Sequence, residues 1–455
     1  MEETEQLIRK YNLPTPRYTS YPTVPYWNDL NETNSWTERF GQRFLQFNQT
    51  RGISIYIHLP FCESLCTYCA CNKRITQNHK VEEEYLECML KEWDMHGRQM
   101  DEQPLIRELH LGGGTPTFFS PSNLEYLVES ILKRARVHPQ NAFSIEGHPN
   151  NTTAEHIKTL YQLGFRRISY GVQDNDPIVQ RAINRIQPLE NVRRVTEEAR
   201  TAGFSSINYD LVYGLPFQTE ESEQKTIEDI VSLRPDRIAF YSYAHVPWKM
   251  KAQRLFDEHD LPSPELKMKI YQLGRKMFLD AGYQDIGMDH FALPEDELNL
   301  SFIRGGLHRN FMGYTAHESA LLIGLGVSAI SDIGVAYAQN HRELEKYYQS
   351  VKADILPIVK GYFLDETDQA FKHYILDISC KGKTRLKSNH KEILDAYSLP
   401  MLREMETDKL LTIRDDLVVV SPQGKQFIRV ICQAFDLKWH AEKESAEKRK
   451  FSMSV

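Results

Sequence analysis

The chain has 455 residues, of which 41% are hydrophobic and 26% are charged. This hydrophobic fraction supports a large buried core and excludes a disordered chain. The 62 acidic residues outnumber the 55 basic ones, so the net charge of −7 does not favour a nucleic-acid-binding protein. The longest apolar stretches, such as 321–327, are far shorter than the ~20 residues that span a bilayer. The N-terminus is acidic and unlike a secretory signal, so we expect a soluble, cytoplasmic protein.

Residues 1–50 carry prolines at positions 14, 16, 22 and 25, which predict an extended arm with some helix near 36–47. From residue 53 to residue 290, strand-like and helix-like segments alternate. The predicted strands are 53–59, 105–111, 143–146, 167–171, 206–213, 237–243 and 284–288, and the predicted helices are 82–97, 123–136, 154–163, 189–202, 221–233 and 264–281. This rhythm predicts an α/β fold with a parallel sheet that is closed or partly closed into a TIM-like barrel, with the helices outside.

Beyond residue 295 the alternation stops. We expect an N-terminal arm at 1–50, the barrel at 51–295, a connecting and substrate-site segment at 296–360, and a smaller, mostly helical, winged-helix-like domain at 361–455. That last domain should contain one short β element over 411–421. Such a domain suggests DNA binding, but the chain has no basic excess or motif that supports this.

Chemically distinctive residues follow the ends of the predicted strands. They are Gly112–Gly114, Glu146, Gln173 and Asp174, Asp210 and the 214–216 turn, and Ala244 with His245. In barrels of this kind, reactive groups lie at the carboxyl ends of the strands. The sequence therefore predicts one functional site at this end of the barrel.

Four of the seven cysteines fall within ten residues, directly after the first strand. Cys62, Cys66 and Cys69 have the spacing C-x3-C-x2-C, and three thiolates on one loop can hold a [4Fe–4S] cube whose fourth iron stays open for a small molecule. A zinc site or closed cluster that also uses Cys71 is the alternative. In extended chain the sulfurs of Cys69 and Cys71 lie ~6–7 Å apart, which disfavours joint ligation without excluding it. The other three cysteines, Cys88, Cys380 and Cys432, are expected to be small buried residues.

The segment from Tyr56 to Cys69 resembles the signature loop of the radical S-adenosylmethionine (SAM) enzymes, and 112–116 is similar to their glycine-rich SAM segment. More narrowly, the chain resembles the oxygen-independent coproporphyrinogen III dehydrogenase (oxidase) family of haem biosynthesis. That resemblance is carried by residues 16–23, 69–73, 171–174, 210–216, 287–292 and 308–311, and it runs essentially from end to end.

The resemblance implies that Cys62, Cys66 and Cys69 hold a [4Fe–4S] cluster, and that SAM chelates the open iron and is cleaved to methionine and a 5′-deoxyadenosyl radical. It assigns the first SAM to Tyr56, Gly112, Gly113, Gly114, Thr115, Glu146 and Ile330. A second SAM is implied at Tyr68, Gly113, Gly114, Gln173, Arg185, Asp210 and Ala244. An ion pair between Arg185 and Asp210 is the alternative explanation of those two charges.

The substrate implied is coproporphyrinogen III, two of whose propionates become vinyl groups to give protoporphyrinogen IX. Arg17, Arg304 and Arg309 are candidates to bind this anionic macrocycle. A low-potential electron donor such as flavodoxin or ferredoxin is implied, with no nucleic acid, no membrane and a monomeric chain. A radical SAM haem chaperone and a haem-processing methyltransferase remain as alternatives; as we read these families, they lack the 17–22 arm motif.

Two positions depart from the family pattern. Gly147-His148-Pro149 follows Glu146 where other members carry an apolar residue and an aspartate before the proline. Met312 follows Phe311 where some members carry glutamine. The first departure is expected to reshape a loop, and the second to affect how the second SAM is held.

Overall fold

The computed structural model of the protein describes residues 2–30, 34–248, 250–318 and 320–443. Within these ranges the α-helices are α1 Glu2–Tyr11, α2 Asn34–Arg51, α3 Val81–Gly97, α4 Pro121–Leu132, α5 Ala154–Gln162, α6 Pro177–Ala182, α7 Leu189–Ala202, α8 Glu220–Leu233, α9 Pro264–Asp280, α10 Glu297–Arg304, α11 Leu344–Lys352, α12 Glu366–Lys381, α13 Lys391–Ile393, α14 Leu399–Thr407, α15 Ile428–Gln433 and α16 Leu437–Lys443. Short 3₁₀ turns occur at Val24–Tyr26, Pro116–Phe118, Lys251–Leu255, Glu258–Asp260, Ser388–His390 and Gly424–Phe427, and a π turn at Leu394–Ser398.

The strands in the same ranges are β1 Asn28–Asp29, β2 Ile53–Leu59, β3 Phe61–Cys62, β4 Arg74–Ile75, β5 Leu105–Gly113, β6 Arg136–Gly147, β7 Phe165–Gln173, β8 Ser206–Tyr213, β9 Arg237–Ser242, β10 Gln284–Gly287, β11 His290–Ala292, β12 His308–Asn310, β13 Gly313–Thr315, β14 Leu322–Leu325, β15 Ile330–Asp332, β16 Ala336–Asn340, β17 Ile358–Phe363, β18 Lys383–Arg385, β19 Leu411–Arg414 and β20 Leu417–Val420. Every strand and helix predicted between residues 53 and 290 is present. The largest difference is β6, which begins at Arg136 and not at residue 143.

The main sheet has the strand order β1-β17-β16-β15-β14-β2-β5-β6-β7-β8-β9-β11-β10. The seven strands from β14 to β9 run parallel to their neighbours. Among the described residues, the hydrogen bonds do not join the two outer strands of this sheet. The predicted α/β fold with an incompletely closed barrel is therefore confirmed.

The two faces of the parallel sheet differ in chemistry. Its outer face is apolar and belongs to the largest core, which contains Ile55 and Ile145 of the strands together with Leu127 and Ile230 of the helices. We define the inner face as the alternate side chains of β2 and β5–β9, which register brings together: Ser54, Tyr56, His58, Glu108, His110, Ser144, Glu146, Arg167, Ser169, Ser206, Asn208, Asp210, Arg237 and Tyr241. This face is polar along its length, whereas a TIM barrel is normally filled by branched apolar residues.

The sheet continues where the sequence predicted that the alternation would stop. Strand β14 pairs in parallel with β2, and β15, β16 and β17 follow it as antiparallel neighbours. Strand β1 of the N-terminal arm pairs with β17. The N-terminal arm therefore supplies an edge strand of the main sheet.

A second core joins the N-terminus to the C-terminal helices. Leu7 and Ile8 of α1, a helix that was not predicted, are buried against a cluster that includes Phe371 and Phe427. The predicted β element at 411–421 is present as the β19–β20 hairpin, extended by β18. The N-terminal arm is thus held at two places, by the buried face of α1 and by the pairing of β1. The three cysteines outside the loop are buried, as predicted.

Hydropathy gives a simple result for the helices. Among the described residues, none of the helices combines the length and the apolar character needed to cross a bilayer.

Candidate active site

The three clustered cysteines lie on the loop that follows β2, and two of their thiols contact polar groups from elsewhere in the barrel. The Thr115 hydroxyl donates to Cys62 Sγ over 3.3 Å. Arg185 Nη1 lies 3.6 Å from Cys66 Sγ and donates to it. Hydrogen-bond donors and cations favour a thiolate over a thiol. Thr115, after β5, and Arg185, in the loop after α6, therefore place a hydrogen-bond donor and a cation beside the cysteine loop.

The third thiol interacts with Cys71. A hydrogen bond from Cys71, followed by the positive charge of Lys73, lowers the pKa of Cys69 to about 6, although burial opposes this shift. The same bond raises the pKa of Cys71 well above its ordinary value. The two sulfurs are therefore within hydrogen-bonding distance and not ~6–7 Å apart as in an extended chain, so the loop turns between them and the closed site that also uses Cys71 stays an alternative. Of these two thiols, Cys69 is the one that loses its proton first.

The described residues contain no group of three His, Cys, Asp or Glu side chains that could hold one metal ion. An iron–sulfur cube does not need such a group, since each of its cysteines binds a different iron.

The glycine segment at the end of β5 lies against both the cysteine loop and Glu146. A Cβ on Gly113, whose φ is +118°, would lie 2.8 Å from the His58 ring, and one on Gly114 would lie 2.6 Å from the Pro60 carbonyl. A Cβ on Gly112 would meet the Glu146 carboxylate at 3.0 Å. Gly114 requires glycine because the loop backbone approaches it closely, and Gly113 because its φ is left-handed, while Gly112 leaves room for the Glu146 and Tyr56 side chains.

Glu146 ends β6 and is held in its ionised form. Burial raises its pKa, but hydrogen bonds from His110, at 3.4 Å, and from the Gly113 amide, at 3.0 Å, outweigh burial and bring the pKa below its ordinary value. His110 is fixed in turn by Ser144, whose Oγ lies 2.8 Å from Nδ1. An ionised carboxylate of this kind can accept hydrogen bonds from two hydroxyls.

Gln173 and Arg185 meet at the end of β7, as predicted for one site. A Cβ on Gly171 would lie 2.5 Å from Gln173 Nε2 and 3.0 Å from Arg185 Nη2. Gln173 has a left-handed φ of 70°, which is costly for a residue other than glycine and is concentrated at functional sites. Arg185 Nη2 donates to the Gly171 carbonyl, while its Nε is buried without a hydrogen-bond partner.

Asp210 lies on β8 beside these residues. Burial, and then the charge of Glu146, raise its pKa to about 6, against hydrogen bonds from Asn208 at 2.8 Å and Ser169 at 3.1 Å. Within the described residues Asp210 and Arg185 do not form an ion pair, so the alternative explanation of these two charges is not supported.

The structure also brings the remaining predicted cofactor residues to this end of the sheet. Tyr56 and Ile330 are close, because Gly324 pairs with Tyr56 and a Cβ on Gly324 would lie 2.4 Å from the Ile330 carbonyl oxygen. Tyr68 and Ala244 are joined by one amide, since Gln253 Nε2 donates to the Tyr68 carbonyl at 3.2 Å and to the Ala244 carbonyl at 3.1 Å.

A cavity of about 130 Å³ lies along the inner face, lined by residues that include Glu146, Asp210 and Met312. Met312, one of the two departures from the family pattern, thus places its thioether in the same space as the two carboxylates. At the other departure, His148 accepts from the Asn150 amide at 3.2 Å, and burial, followed by the charge of Arg185, lowers its pKa to about 3. His148 is therefore a neutral part of a turn.

Two of the three candidate substrate arginines meet next to this cavity, against Tyr241 and Tyr314 of its lining. Arg17 Nη2 donates to the Ser242 carbonyl at 2.9 Å, and its guanidinium lies 5.3 Å from the Tyr241 ring centre. Arg309 is 7% exposed and donates from Nη2 to the Arg17 carbonyl at 3.3 Å. Its Nε and Nη1 are buried without a hydrogen-bond partner. Arg304 is exposed in the last turn of α10 and does not share this position.

Comparison with known proteins is consistent with this geometry. The Radical SAM superfamily model matches residues 56–230. The oxygen-independent coproporphyrinogen III oxidase of Pseudomonas aeruginosa is 37% identical over 94% of this chain and 95% of its own length, and that of Escherichia coli is 38% identical over 94% of each. The structure of the Escherichia coli enzyme, described as a radical SAM enzyme, superposes with a TM-score of 0.88 at 34% identity and covers 95% of this chain and 98% of its own. The chain belongs to the oxygen-independent coproporphyrinogen III oxidase family.

Membership of this radical SAM family implies a [4Fe–4S] cluster and SAM, and the residues present fit both groups. The cysteine loop carries thiols with nearby donors and cations, and the glycine segment lets the backbone approach a ligand. The unpartnered Nε of Arg185 and the ionised Glu146 offer a cation and an anion for a zwitterionic molecule.

Several contributors to this oxidase-family site were not predicted as such from the sequence. His110 and His58 were missed, although both lie on the polar side of an alternating strand, which was the available signal. His58 Nε2 hydrogen-bonds to the Asn72 carbonyl at 2.9 Å and so holds the end of the cysteine loop. Gln253 lies in an irregular segment, and no local pattern indicated its role.

Proposed function

We propose that this protein catalyses the oxygen-independent oxidative decarboxylation of two propionate side chains of coproporphyrinogen III to vinyl groups, giving protoporphyrinogen IX. Each side chain loses one hydrogen atom, carbon dioxide and one electron. Relatives named for this substrate match the chain over about 94% of its length. The observation that carries the proposal is that Arg17 and Arg309 lie against Tyr241 and Tyr314, which line the same cavity as Glu146 and Asp210.

When bound, the cluster and SAM would supply the electron and the 5′-deoxyadenosyl radical that removes hydrogen from the propionate. Cys62, Cys66 and Cys69 would hold the cluster as thiolates. Ionised Glu146 would accept hydrogen bonds from the ribose hydroxyls of the first SAM. The lining of that site would come from Tyr56, Ile330 and the 112–115 segment.

A second SAM molecule would lie beside the first, at the ends of β7, β8 and β9. The unpartnered Nε of Arg185 suits a carboxylate, and Asp210 suits an ammonium group or a hydroxyl. Tyr68, Gln173 and Ala244 would complete this site, with Gly113 and Gly114 shared between the two molecules.

The reacting propionate would be held by Arg17 and Arg309. Two nitrogens of Arg309 have no partner although the residue is buried, and a buried guanidinium of this kind is expected to pair with an anion. Arg304 is exposed, so it would contribute long-range attraction alone. We also propose a low-potential donor such as flavodoxin or ferredoxin, a monomeric chain and a cytoplasmic location.

Anaerobic incubation of the reconstituted protein with coproporphyrinogen III, SAM and a reductant tests the proposal. We expect protoporphyrinogen IX to form, with 5′-deoxyadenosine and carbon dioxide as coproducts. Cleavage of SAM without any loss of propionate would contradict it and would favour a haem chaperone or another haem-processing enzyme. The Arg309→Lys variant should retain SAM cleavage in the absence of substrate and lose most decarboxylation, because a lysine cannot form a bidentate pair with a carboxylate.

A further inference from the structure

Lys267 lies beside Arg17 at the end of β9. Lys267 Nζ donates to the Tyr243 carbonyl at 3.0 Å, and Arg17 Nη2 donates to the neighbouring Ser242 carbonyl at 2.9 Å. Consecutive carbonyls of one strand end thus bind two cations from different parts of the chain. Lys267 belongs to α9, and Arg17 to the N-terminal arm.

The turn after β8 provides the space for this lysine. Gly214 has a φ of +83°, and a Cβ there would lie 2.6 Å from Lys267 Cε and 2.9 Å from Cδ. The 210–216 segment, which the sequence analysis also identified, therefore places Asp210 in the cavity lining. Its Gly214 leaves the space through which the Lys267 side chain passes.

Arg429 of α15 approaches the same point from the C-terminal side. Its Nε donates to the Pro16 carbonyl at 3.3 Å, and its Nη2 donates to the Thr15 carbonyl, so it holds the arm next to Arg17. Asp289 faces this group and lies 3.9 Å from Arg17. The turn that presents Asp289 has left-handed φ values at two successive non-glycine residues, 41° at Met288 and 74° at Asp289.

These cations repel one another. Burial, and then the charges of Arg17 and Arg429, lower the pKa of Lys267 to about 8, while Asp289 opposes this shift. Burial and Arg17 likewise lower the pKa of Arg429 to about 10. Positive charge concentrated in this way is relieved by an anion. Arg309, with its two unpartnered nitrogens, lies against Arg17 and against Tyr314 of the cavity lining.

We propose that Lys267 and Arg429 complete, with Arg17 and Arg309, a carboxylate-binding cluster in which Lys267 and Arg429 hold propionates of the substrate other than the one that Arg17 and Arg309 hold for decarboxylation, and that Lys267 is a specificity-determining residue for macrocycles with several carboxylates. This inference rests on the proposed function. It extends the binding site from the cavity to the junction of the arm, α9 and α15. The occupant is a polycarboxylate because the cluster offers separate cations and not one bidentate pair.

The test compares Lys267→Met with Lys267→Arg and with the matched control Lys269→Met, an exposed lysine of the same helix. Under anaerobic conditions, Lys267→Met should raise the KM for coproporphyrinogen III by about 10- to 100-fold, as expected for the loss of a charged hydrogen bond. Its iron content and its SAM cleavage without substrate should stay at the wild-type level. Lys267→Arg and Lys269→Met should keep the wild-type KM, and an unchanged KM in Lys267→Met would overturn the inference.

A binding measurement on the wild-type protein provides an independent test that does not depend on any variant folding. The affinities for coproporphyrin III, with four carboxylates, and protoporphyrin IX, with two, are compared at low and high salt. The affinity for the tetracarboxylate should fall more steeply with salt, and an equal dependence for both would overturn the inference. Failure of the proposed function is distinguishable, because wild-type protein would then cleave SAM without converting coproporphyrinogen III.

Discussion

At the scale of single residues, the cysteine loop distinguishes Cys69 from Cys71 by their readiness to lose a proton. Cys71 donates its hydrogen to Cys69, which lowers the pKa of Cys69 to about 6 and raises that of Cys71. Burial raises the pKa of the Cys62 thiol to about 11. The hydrogen bond that its sulfur accepts from the Thr115 hydroxyl opposes this shift. Since the metal ligand is the thiolate, the hydrogen bond that Cys71 donates supports Cys69 as a ligand and disfavours Cys71.

We therefore expect Cys62→Ser, Cys66→Ser and Cys69→Ser each to lose the cluster, whereas Cys71→Ser should retain it. Iron content and the visible charge-transfer absorption after anaerobic reconstitution measure the outcome. Equal loss of iron in Cys71→Ser would show that all four cysteines are ligands, which is the closed-site alternative.

Asp210 leads to a second prediction. The Asp210→Ala variant should assemble the cluster and bind one equivalent of SAM where the wild type binds two, because removing one partner of a buried charged hydrogen bond costs about 3–5 kcal/mol. Equilibrium binding of labelled SAM measures this, and the visible spectrum serves as the control. If the variant still bound two equivalents of SAM and turned over normally, Asp210 would stabilise the barrel and have no role in binding SAM.

The pKa of Asp210 also predicts how binding of the second SAM depends on pH. Its pKa of about 6 is above the ordinary value, so the ionised form that would bind an ammonium group or hydroxyl is present above pH 6 and lost as the pH falls through 6. Binding of the second SAM equivalent by the wild type should accordingly weaken between about pH 7 and pH 5.

At the scale of elements, long periodic segments could be predicted from the sequence and short ones could not. The helices of the barrel carry apolar residues at regular spacing, and α7 ends at Gly203 with the left-handed φ that such ends require. Strands β14–β17 are three to six residues long, so little alternation is visible in them. Helix α1 was not predicted, because its apolar residues pack against residues from 371–435, which are far away in the sequence.

That distant surface makes α1 important for stability. Ile8 is 7% exposed within the second core, so Ile8→Ala should lower the free energy of unfolding by about 2–4 kcal/mol through lost burial and a residual cavity. The adjacent Arg9 is exposed, and Arg9→Ala should change it by less than about 0.5 kcal/mol. Urea unfolding followed by circular dichroism compares the two, and equal effects would mean that α1 is not seated in this core.

The residues of the candidate site also differ in whether the sequence could predict their positions. Glu146 and Asp210 follow regular strands, so their convergence could be predicted from strand order alone. The proximity of Arg17 to Arg309 could not, since it depends on how the arm passes over the barrel end, and the isolated Arg304 was indistinguishable from Arg309 in the sequence. The turn that brings Cys71 to Cys69 is likewise a local backbone choice that an extended-chain estimate does not contain.

At the scale of the whole molecule, the arm, the barrel and the C-terminal helices share buried surfaces. The second core contains Met268 and Tyr314 from the barrel side together with α1 and residues of α12 and α15. Strand β1 adds a backbone link between the arm and the main sheet. A substrate bound by Arg17, Lys267 and Arg429 would therefore contact three parts of the chain at once.

Shared cores predict joint unfolding. Thermal or urea unfolding of the ligand-free protein should give one transition, coincident when followed by far-ultraviolet circular dichroism and by tryptophan fluorescence, because neither core is complete without the other parts. Phe371→Ala in α12 should shift that whole transition. Two separated transitions, with one of them insensitive to Phe371→Ala, would show that the C-terminal helices fold independently.

The polar inner face also bears on how this protein can change over evolution. Along β2, odd-numbered positions from Ile53 to Leu59 face the helices and specify the fold, whereas Ser54, Tyr56 and His58 face the cavity. Alternate residues of the same strands thus determine the fold and the chemistry of the site. A library randomised at the inward positions should contain many folded members with altered selectivity, while one randomised at the outward positions should contain few, so new reactions can arise on this scaffold without loss of its core.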